Sequence, residues 1–169
     1  MLRFPVSPSC SVLAEAWLFS YTDFGESHGA LRRPVLRAAI SVRVPGRRRT
    51  FSALIDTGGP VTVVANEVIS AGGGDPVDTG DRLPIRLGGR QFSAPLFELT
   101  PEALPPRGVD VPAASWRGLV GLLSPFPHQG TSVILGQIGF LEHFTVTFGP
   151  ERFAVEPAAA FGARFGEAH

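Results

Sequence analysis

The hydrophobic positions of this chain fall in short runs separated by glycine, proline and polar turns, a pattern typical of β-strands. Helical spacing is confined to 65–71 and 139–144, so one or two short helices are expected. We therefore predict a mainly β fold. Its strands are expected at 35–44, 50–55, 61–64, 83–87, 91–99, 145–148 and 152–155, with a proline-rich surface loop over 100–115.

One carboxylate interrupts the most apolar of these runs. Residues 53–64 read ALIDTGGPVTVV, so Asp56 stands between two strand-like segments. An acid in such surroundings costs free energy unless it is hydrogen-bonded or neutralised, which favours a functional role and predicts a poorly solvated side chain. The pair Gly58 and Gly59 favours a tight turn that brings backbone amides close to this carboxylate.

Two stretches resemble the active-site elements of retropepsin-like aspartic peptidases, in particular their bacterial members. The first is Asp56-Thr57-Gly58 with its apolar flanks. The second is SVILGQIGFLEHFTVTF at 132–148, which is similar to the family's apolar-apolar-glycine turn, the helix after it and the following strand. From Asp56 to Gly136 the separation is 136 − 56 = 80 positions, which suits the single-lobed, retroviral-type branch. Upstream, the Phe-Ser-Tyr at 19–21 and the Arg-Pro at 33–34 are also similar to bacterial members.

The resemblance implies a fold and a set of roles. The fold would be a single-lobed, closed β-barrel of the acid-protease type. The activity would be that of an aspartic endopeptidase acting on a peptide or protein as a homodimer, without a cofactor, each chain supplying one acid that activates water. A covering hairpin, the flap, is expected at roughly 72–82. The implied catalytic residues are Asp56, Thr57 and Gly58, and the implied substrate-binding residues are Gly59, Gly73, Gly74, Leu135 and Gly136.

Length and composition indicate one domain. The chain has 169 residues and 44% apolar content, enough for a single buried core. We expect an N-terminal extension at 1–33 that packs partly on the core, the protease-like domain at 34–157, and a frayed tail at 158–169. The apolar residues near the candidate site, Ile55, Val61 and Leu135, predict a preference for apolar side chains beside the cleaved bond.

Several other classes of function are disfavoured. The formal net charge is zero, so no nucleic-acid partner is implied, and the three arginines at 47–49 are interpreted as an exposed hairpin tip. No Cys and His cluster has metal-ligand spacing, which predicts no metal site. No apolar run is long enough to cross a membrane, and a secretory signal is not evident, so a cytoplasmic location is expected.

Two internal alternatives compete with this assignment. A second Asp-Thr-Gly at 78–80 lies only 78 − 56 = 22 positions after the first, too close for a second lobe, and it lacks apolar flanks. We interpret it as a turn. The other alternative is Gly121, which also follows an apolar pair, but the Ser-Pro-Phe-Pro close behind it disfavours the required helix. Gly136 is therefore preferred.

Two positions depart from the viral pattern. Many viral members pair an acidic residue with an arginine where this chain has Pro60 and Gln137. Gly59 is a milder departure from the more usual alanine or serine. Because both partners of the ion pair are replaced, a second hypothesis stays open, in which the fold serves as a non-catalytic peptide-binding or dimerisation module.

Overall fold

The computed structural model describes residues 16–21, 39–43, 49–71, 76–87, 89–128 and 130–165. Within these residues it contains twelve strands and two helices. The prediction of a mainly β fold is confirmed. The elements are β1 Trp17–Ser20, β2 Ala39–Arg43, β3 Phe51–Ile55, β4 Thr62–Ala65, α1 Asn66–Ala71, β5 Val77–Leu87, β6 Arg90–Leu99, β7 Glu102–Ala103, β8 Ala114–Ser115, β9 Gly118–Leu123, β10 Val133–Leu135, β11 Phe144–Phe148, β12 Arg152–Pro157 and α2 Ala158–Phe165.

The strands form two sheets. One has three strands in the order β1, β12, β11, and the other has nine in the order β5, β6, β9, β4, β10, β3, β2, β7, β8. The edge strands β5 and β8 are not paired with each other, so the described strands do not close into the predicted barrel. β8 spans two residues and offers few backbone groups for such a closure.

Two hydrophobic clusters cover the central strands of the larger sheet. The main core lies between one face of that sheet and the three-stranded sheet, and contains Phe140, Phe144 and Trp116 in mutual ring contact. A second cluster lies on the opposite face under the β5 and β6 hairpin. Side chains alternate between the two faces of a strand, so Val133 and Leu135 of β10 pack in the main core and Ile134 packs in the second cluster. This explains why all three are buried.

The N-terminal strand β1 is part of the folded domain. It pairs with β12 from Trp17 opposite Val155 to Ser20 opposite Arg152. The Phe19 ring stacks on the Phe153 ring with centroids 5.1 Å apart. Part of the predicted extension at 1–33 therefore contributes to the core, while the Arg-Pro at 33–34 lies outside the described residues.

The predicted short hairpin at 83–99 is the distal part of a longer one. β5 pairs with β6 from Val77 opposite Glu98 to Leu87 opposite Arg90, with an irregularity between Asp78 and Arg82. The segment expected to form a separate flap at 72–82 is therefore paired strand from residue 77 onward, because ten residues of β6 provide partners for it. Residues 72–75, including the candidates Gly73 and Gly74, lie outside the described residues.

A helix was predicted at 139–144, and this prediction is wrong. The segment forms consecutive turns, in which the Leu141 N–H donates to the Gly136 carbonyl at 3.0 Å and the His143 N–H donates to the Phe140 carbonyl at 2.9 Å. Gly139 has a φ of 87°, a left-handed conformation that interrupts a right-handed helix.

Of the tail at 158–169, which was expected to be frayed, the described residues 158–165 form helix α2. Helix α2 begins directly after β12 with three alanines, which have the highest helix propensity. The Ala158 N–H donates to the His143 carbonyl at 2.9 Å. Arg164 forms an ion pair with Glu156, whose side chain is 5% exposed. These contacts hold α2 against the end of the three-stranded sheet.

We expect Arg164→Met to lower the free energy of unfolding by about 1 to 3 kcal/mol, because the buried Glu156 carboxylate would lose its partner. Denaturant unfolding measures this change, with Arg152→Met as the control because Arg152 is exposed on the same β12 strand. Adding Glu156→Gln to Arg164→Met should recover part of the loss. An equal loss in the Arg152 variant would contradict the assignment.

Among the described residues, no helix is long and apolar enough to cross a membrane. The same residues contain no group of three or more His, Cys, Asp or Glu side chains that could hold a metal ion.

Candidate active site

The Asp56 loop joins the ends of β3 and β4. β3 runs parallel to β10, with Ile55 opposite Leu135, and the Asp56 N–H donates to the Leu135 carbonyl at 2.9 Å. The Gly59 N–H then donates to the Asp56 carbonyl at 3.1 Å, which closes the turn. The position of Asp56 is thus fixed by backbone bonds to a buried strand.

The Asp56 carboxylate is held by its own turn. Its Oδ1 accepts a hydrogen bond from the Gly58 N–H at 3.0 Å, as the paired glycines predicted. A Cβ at position 59 would lie 3.2 Å from Oδ2, so Gly59 leaves this oxygen uncrowded. Asp56 is half-buried, and Thr57 and Gly58 are exposed. The apolar flanks predicted a poorly solvated carboxylate. In the single chain, Asp56 is more exposed to solvent than this prediction.

Gly136 lies directly under this loop. A Cβ there would come within 2.5 Å of both the backbone carbon and the carbonyl oxygen of Val61. Its N–H donates to Thr62 Oγ1 at 3.1 Å. Gly121 instead lies within β9, paired with Val63 and Leu96, away from the loop. Of these two glycines, Gly136 is the one that packs against the Asp56 loop.

Leu135 does not present its side chain at the site. It is 1% exposed and packs in the main core, as does Ile55 at 7%. Val61 is buried in the second cluster. All three side chains are therefore part of a core in the single chain, and the preference for apolar substrate side chains stays a prediction. The contribution of Leu135 is its carbonyl, which anchors Asp56.

Gln137 was considered only as the residue that replaces an arginine, and its contacts were missed. Its side-chain Nε2 donates to the Thr57 carbonyl at 2.7 Å. Its backbone N–H donates to the Gly59 carbonyl at 2.8 Å. The next residue, Ile138, donates from its N–H to the Pro60 carbonyl at 3.1 Å. The signal in the sequence was an amide side chain directly after the glycine that supports the loop.

The turn that carries Gln137 is itself fixed to β9. The Trp116 indole N–H donates to the Gly139 carbonyl at 2.6 Å. A Cβ added to Gly139 would lie 2.2 Å from the Leu119 carbonyl oxygen. A Cβ added to Gly118 would lie 2.8 Å from the Gly139 carbonyl oxygen. These close approaches leave the turn little freedom relative to the sheet.

The second Asp-Thr-Gly shares one local feature with the first. The Gly80 N–H donates to Asp78 Oδ1 at 2.9 Å, much as Gly58 donates to Asp56. However, Asp78, Thr79 and Gly80 are all exposed in the irregular part of β5. The interpretation of this motif as a local turn is consistent with that geometry.

Two cavities of the chain lie away from Asp56. One is a small void in the main core beside Trp116 and Leu135. The other opens beside Asn66 and Ser132, at the opposite end of β4 and β10 from the loop. Asp56 lines neither of them.

Comparisons with known proteins give likenesses to solved structures only. No protein-family model matches the chain, and no curated protein matches it. Among solved structures, the chain is similar to a retropepsin-like aspartic protease from Rickettsia conorii. The two share 14% sequence identity with a TM-score of 0.47, over 92% of this chain and 96% of that chain.

Proposed function

We propose that this protein is an aspartic endopeptidase that acts as a homodimer, with Asp56 of each chain contributing half of one active site. The observation that carries the proposal is the Asp56 loop. Backbone bonds fix the carboxylate at the end of two parallel strands, and the Thr57 and Gly58 segment beside it is exposed. A half-buried carboxylate at an open surface is suited to face a second copy across a two-fold axis.

The chemistry requires two carboxylates in contact. At a separation of about 3 Å and an effective dielectric constant of about 20, two unit charges repel by roughly 5 to 6 kcal/mol. Two Asp56 side chains at this distance therefore share one proton. The ionised member then takes a proton from water as the water oxygen attacks the carbonyl carbon of the scissile peptide, while the protonated member donates a hydrogen bond to the carbonyl oxygen. When the C–N bond breaks, a carboxyl group of the pair gives a proton to the leaving nitrogen, and the pair again holds one proton. No covalent intermediate is needed.

The rest of the loop supports this role. Thr57 is exposed next to the acid, where its hydroxyl would face the Thr57 loop of the partner, and Gly58 would present backbone to a substrate.

The β5 and β6 hairpin is the best candidate for a cover over the substrate. It packs against Val61 and Val63 through Ile85, and it turns at Gly89, which has a φ of 79°. The cover is thus assigned to the hairpin end near residue 89 rather than to 72–82.

The test is cleavage of a diverse peptide pool over about pH 4 to pH 7, where a pair of carboxylates that shares one proton is active. The pool is incubated with a dilution series of the protein, and dimerisation is followed by sedimentation over the same range. We expect cleavage per chain to fall as the dimer dissociates. Constant cleavage per chain while the dimer dissociates would contradict the shared site. Dimerisation without cleavage would favour the alternative, a peptide-binding or dimerisation module.

A further inference from the structure

We propose that Gln137 is a positioning residue for the Asp56 carboxylate, acting through the peptide group between Thr57 and Gly58. This inference rests on the proposed function for its catalytic consequence, but the positioning itself concerns the folded chain alone. Gln137 does not contact the carboxylate. It acts on the backbone group that does.

One peptide group connects the two side chains. Its carbonyl, that of Thr57, accepts from Gln137 Nε2 at 2.7 Å. Its N–H, that of Gly58, donates to Asp56 Oδ1 at 3.0 Å. In a trans peptide the C=O and N–H point in opposite directions within one plane, so fixing the oxygen also fixes the direction of the N–H. Gln137 therefore sets the orientation of the donor that holds the carboxylate.

The same arrangement strengthens that donor. A carbonyl that accepts a hydrogen bond polarises its peptide group, and the N–H at the other end becomes a better donor. Gly58 belongs to an exposed turn, where free rotation of the peptide plane would otherwise compete with the bond to Asp56. An amide side chain that holds the Thr57 carbonyl removes this freedom.

Gln137 is well placed for such a role because its own backbone is fixed. Its N–H donates to the Gly59 carbonyl at 2.8 Å, on the other side of the same turn. The preceding Gly136 packs closely on Val61, where an added Cβ would come within 2.5 Å of the Val61 backbone. Gln137 therefore holds the turn at two carbonyls, that of Thr57 through its side-chain Nε2 and that of Gly59 through its backbone N–H.

The first test is kinetic and uses Gln137→Met, which has a similar length but lacks the N–H donor. We expect kcat to fall roughly fivefold to tenfold, the factor that one neutral hydrogen bond contributes, with KM changed by less than about twofold. Gln137→Arg restores a donor at this position and should recover most of kcat. Arg107→Met, an exposed change in the 104–113 loop, is the control and should match the wild type.

The second test does not need activity. The amide resonances of Gly58 and Gly80 are recorded in the wild type and in Gln137→Met. Both amides donate to an aspartate Oδ1 two residues earlier, at 3.0 and 2.9 Å, so Gly80 is an internal control in the same spectrum. We expect the Gly58 amide proton to move upfield, as its hydrogen bond weakens, while the Gly80 proton stays in place.

The outcomes separate the two proposals. If the wild type shows no cleavage that depends on Asp56, the proposed function fails, and the Gly58 resonance still decides whether Gln137 positions the carboxylate. An unchanged Gly58 resonance, or a kcat within twofold of the wild type, would overturn the role of Gln137. A loss in Gln137→Met that appears only as weaker dimerisation or a lower unfolding temperature would also overturn it.

Discussion

Asp56→Asn is expected to abolish peptide cleavage, with a loss of roughly a hundredfold to ten-thousandfold at every pH from about 4 to 7. Asparagine has nearly the same shape, and its side-chain oxygen can still accept from the Gly58 N–H. It cannot take a proton from water, so the shared-proton pair is lost. The fold and the turn should be preserved. The measurement is the cleavage rate of the peptide pool, alongside the unfolding curve of each variant.

The chain offers a matched control for this substitution. Asp78→Asn changes the same residue type in the same three-residue motif, with the same bond to the amide two residues later. Because Asp78 is exposed and lies at the base of the hairpin, this variant should cleave like the wild type. Equal losses in both variants would show that Asp56 has no special role. If both variants cleave as fast as the wild type, the active site lies elsewhere or the cleavage comes from a contaminating peptidase.

Gly136→Ala is expected to destabilise the protein by roughly 3 kcal/mol or more. The added Cβ would meet backbone atoms of Val61 at 2.5 Å and the Gly59 carbonyl oxygen at 2.9 Å. Neither is the end of a flexible side chain, so the Asp56 loop itself must move. The cleavage rate should decrease together with the free energy of unfolding. Denaturant unfolding curves measure the first effect, and the peptide assay measures the second.

Gly162→Ala is the control for this prediction. Gly162 lies within α2, and a Cβ there meets nothing within 4 Å. Since alanine favours helix over glycine, this variant should be unchanged or about 0.5 to 1 kcal/mol more stable. If Gly136→Ala were as stable as Gly162→Ala, the close packing of the loop on Gly136 would be wrong.

The sequence predicted the local elements of the site because each depends on a few neighbouring residues. The turn after Asp56 follows from the paired glycines, and Gly136 was implied by the resemblance of 132–148 to the family's glycine turn. The orientation of Leu135 was not predictable in this way. It depends on which face of β10 meets the main core, and both faces of this strand are covered by apolar clusters.

Other features depend on contacts between distant segments. The helix expected at 139–144 is replaced by turns because Gly139 adopts a left-handed conformation close to the Leu119 carbonyl and the Trp116 indole. The position of the C-terminal helix involves the pairing of Arg164 with Glu156. The role of Gln137 depends on its distance from Thr57, which lies 80 positions earlier in the chain. Residue patterns do not contain these distances.

Subunit mixing tests whether two chains share one active site. Wild-type chains are mixed with an equal amount of Asp56→Asn chains, dissociated, allowed to reassociate and assayed at constant wild-type concentration. Random pairing leaves about half of the wild-type chains with a wild-type partner. If the active site is shared, cleavage per wild-type chain should therefore fall by about half. A larger excess of the variant should suppress it further. Cleavage per wild-type chain that stays constant at every ratio, although mixed dimers form, would contradict the shared site.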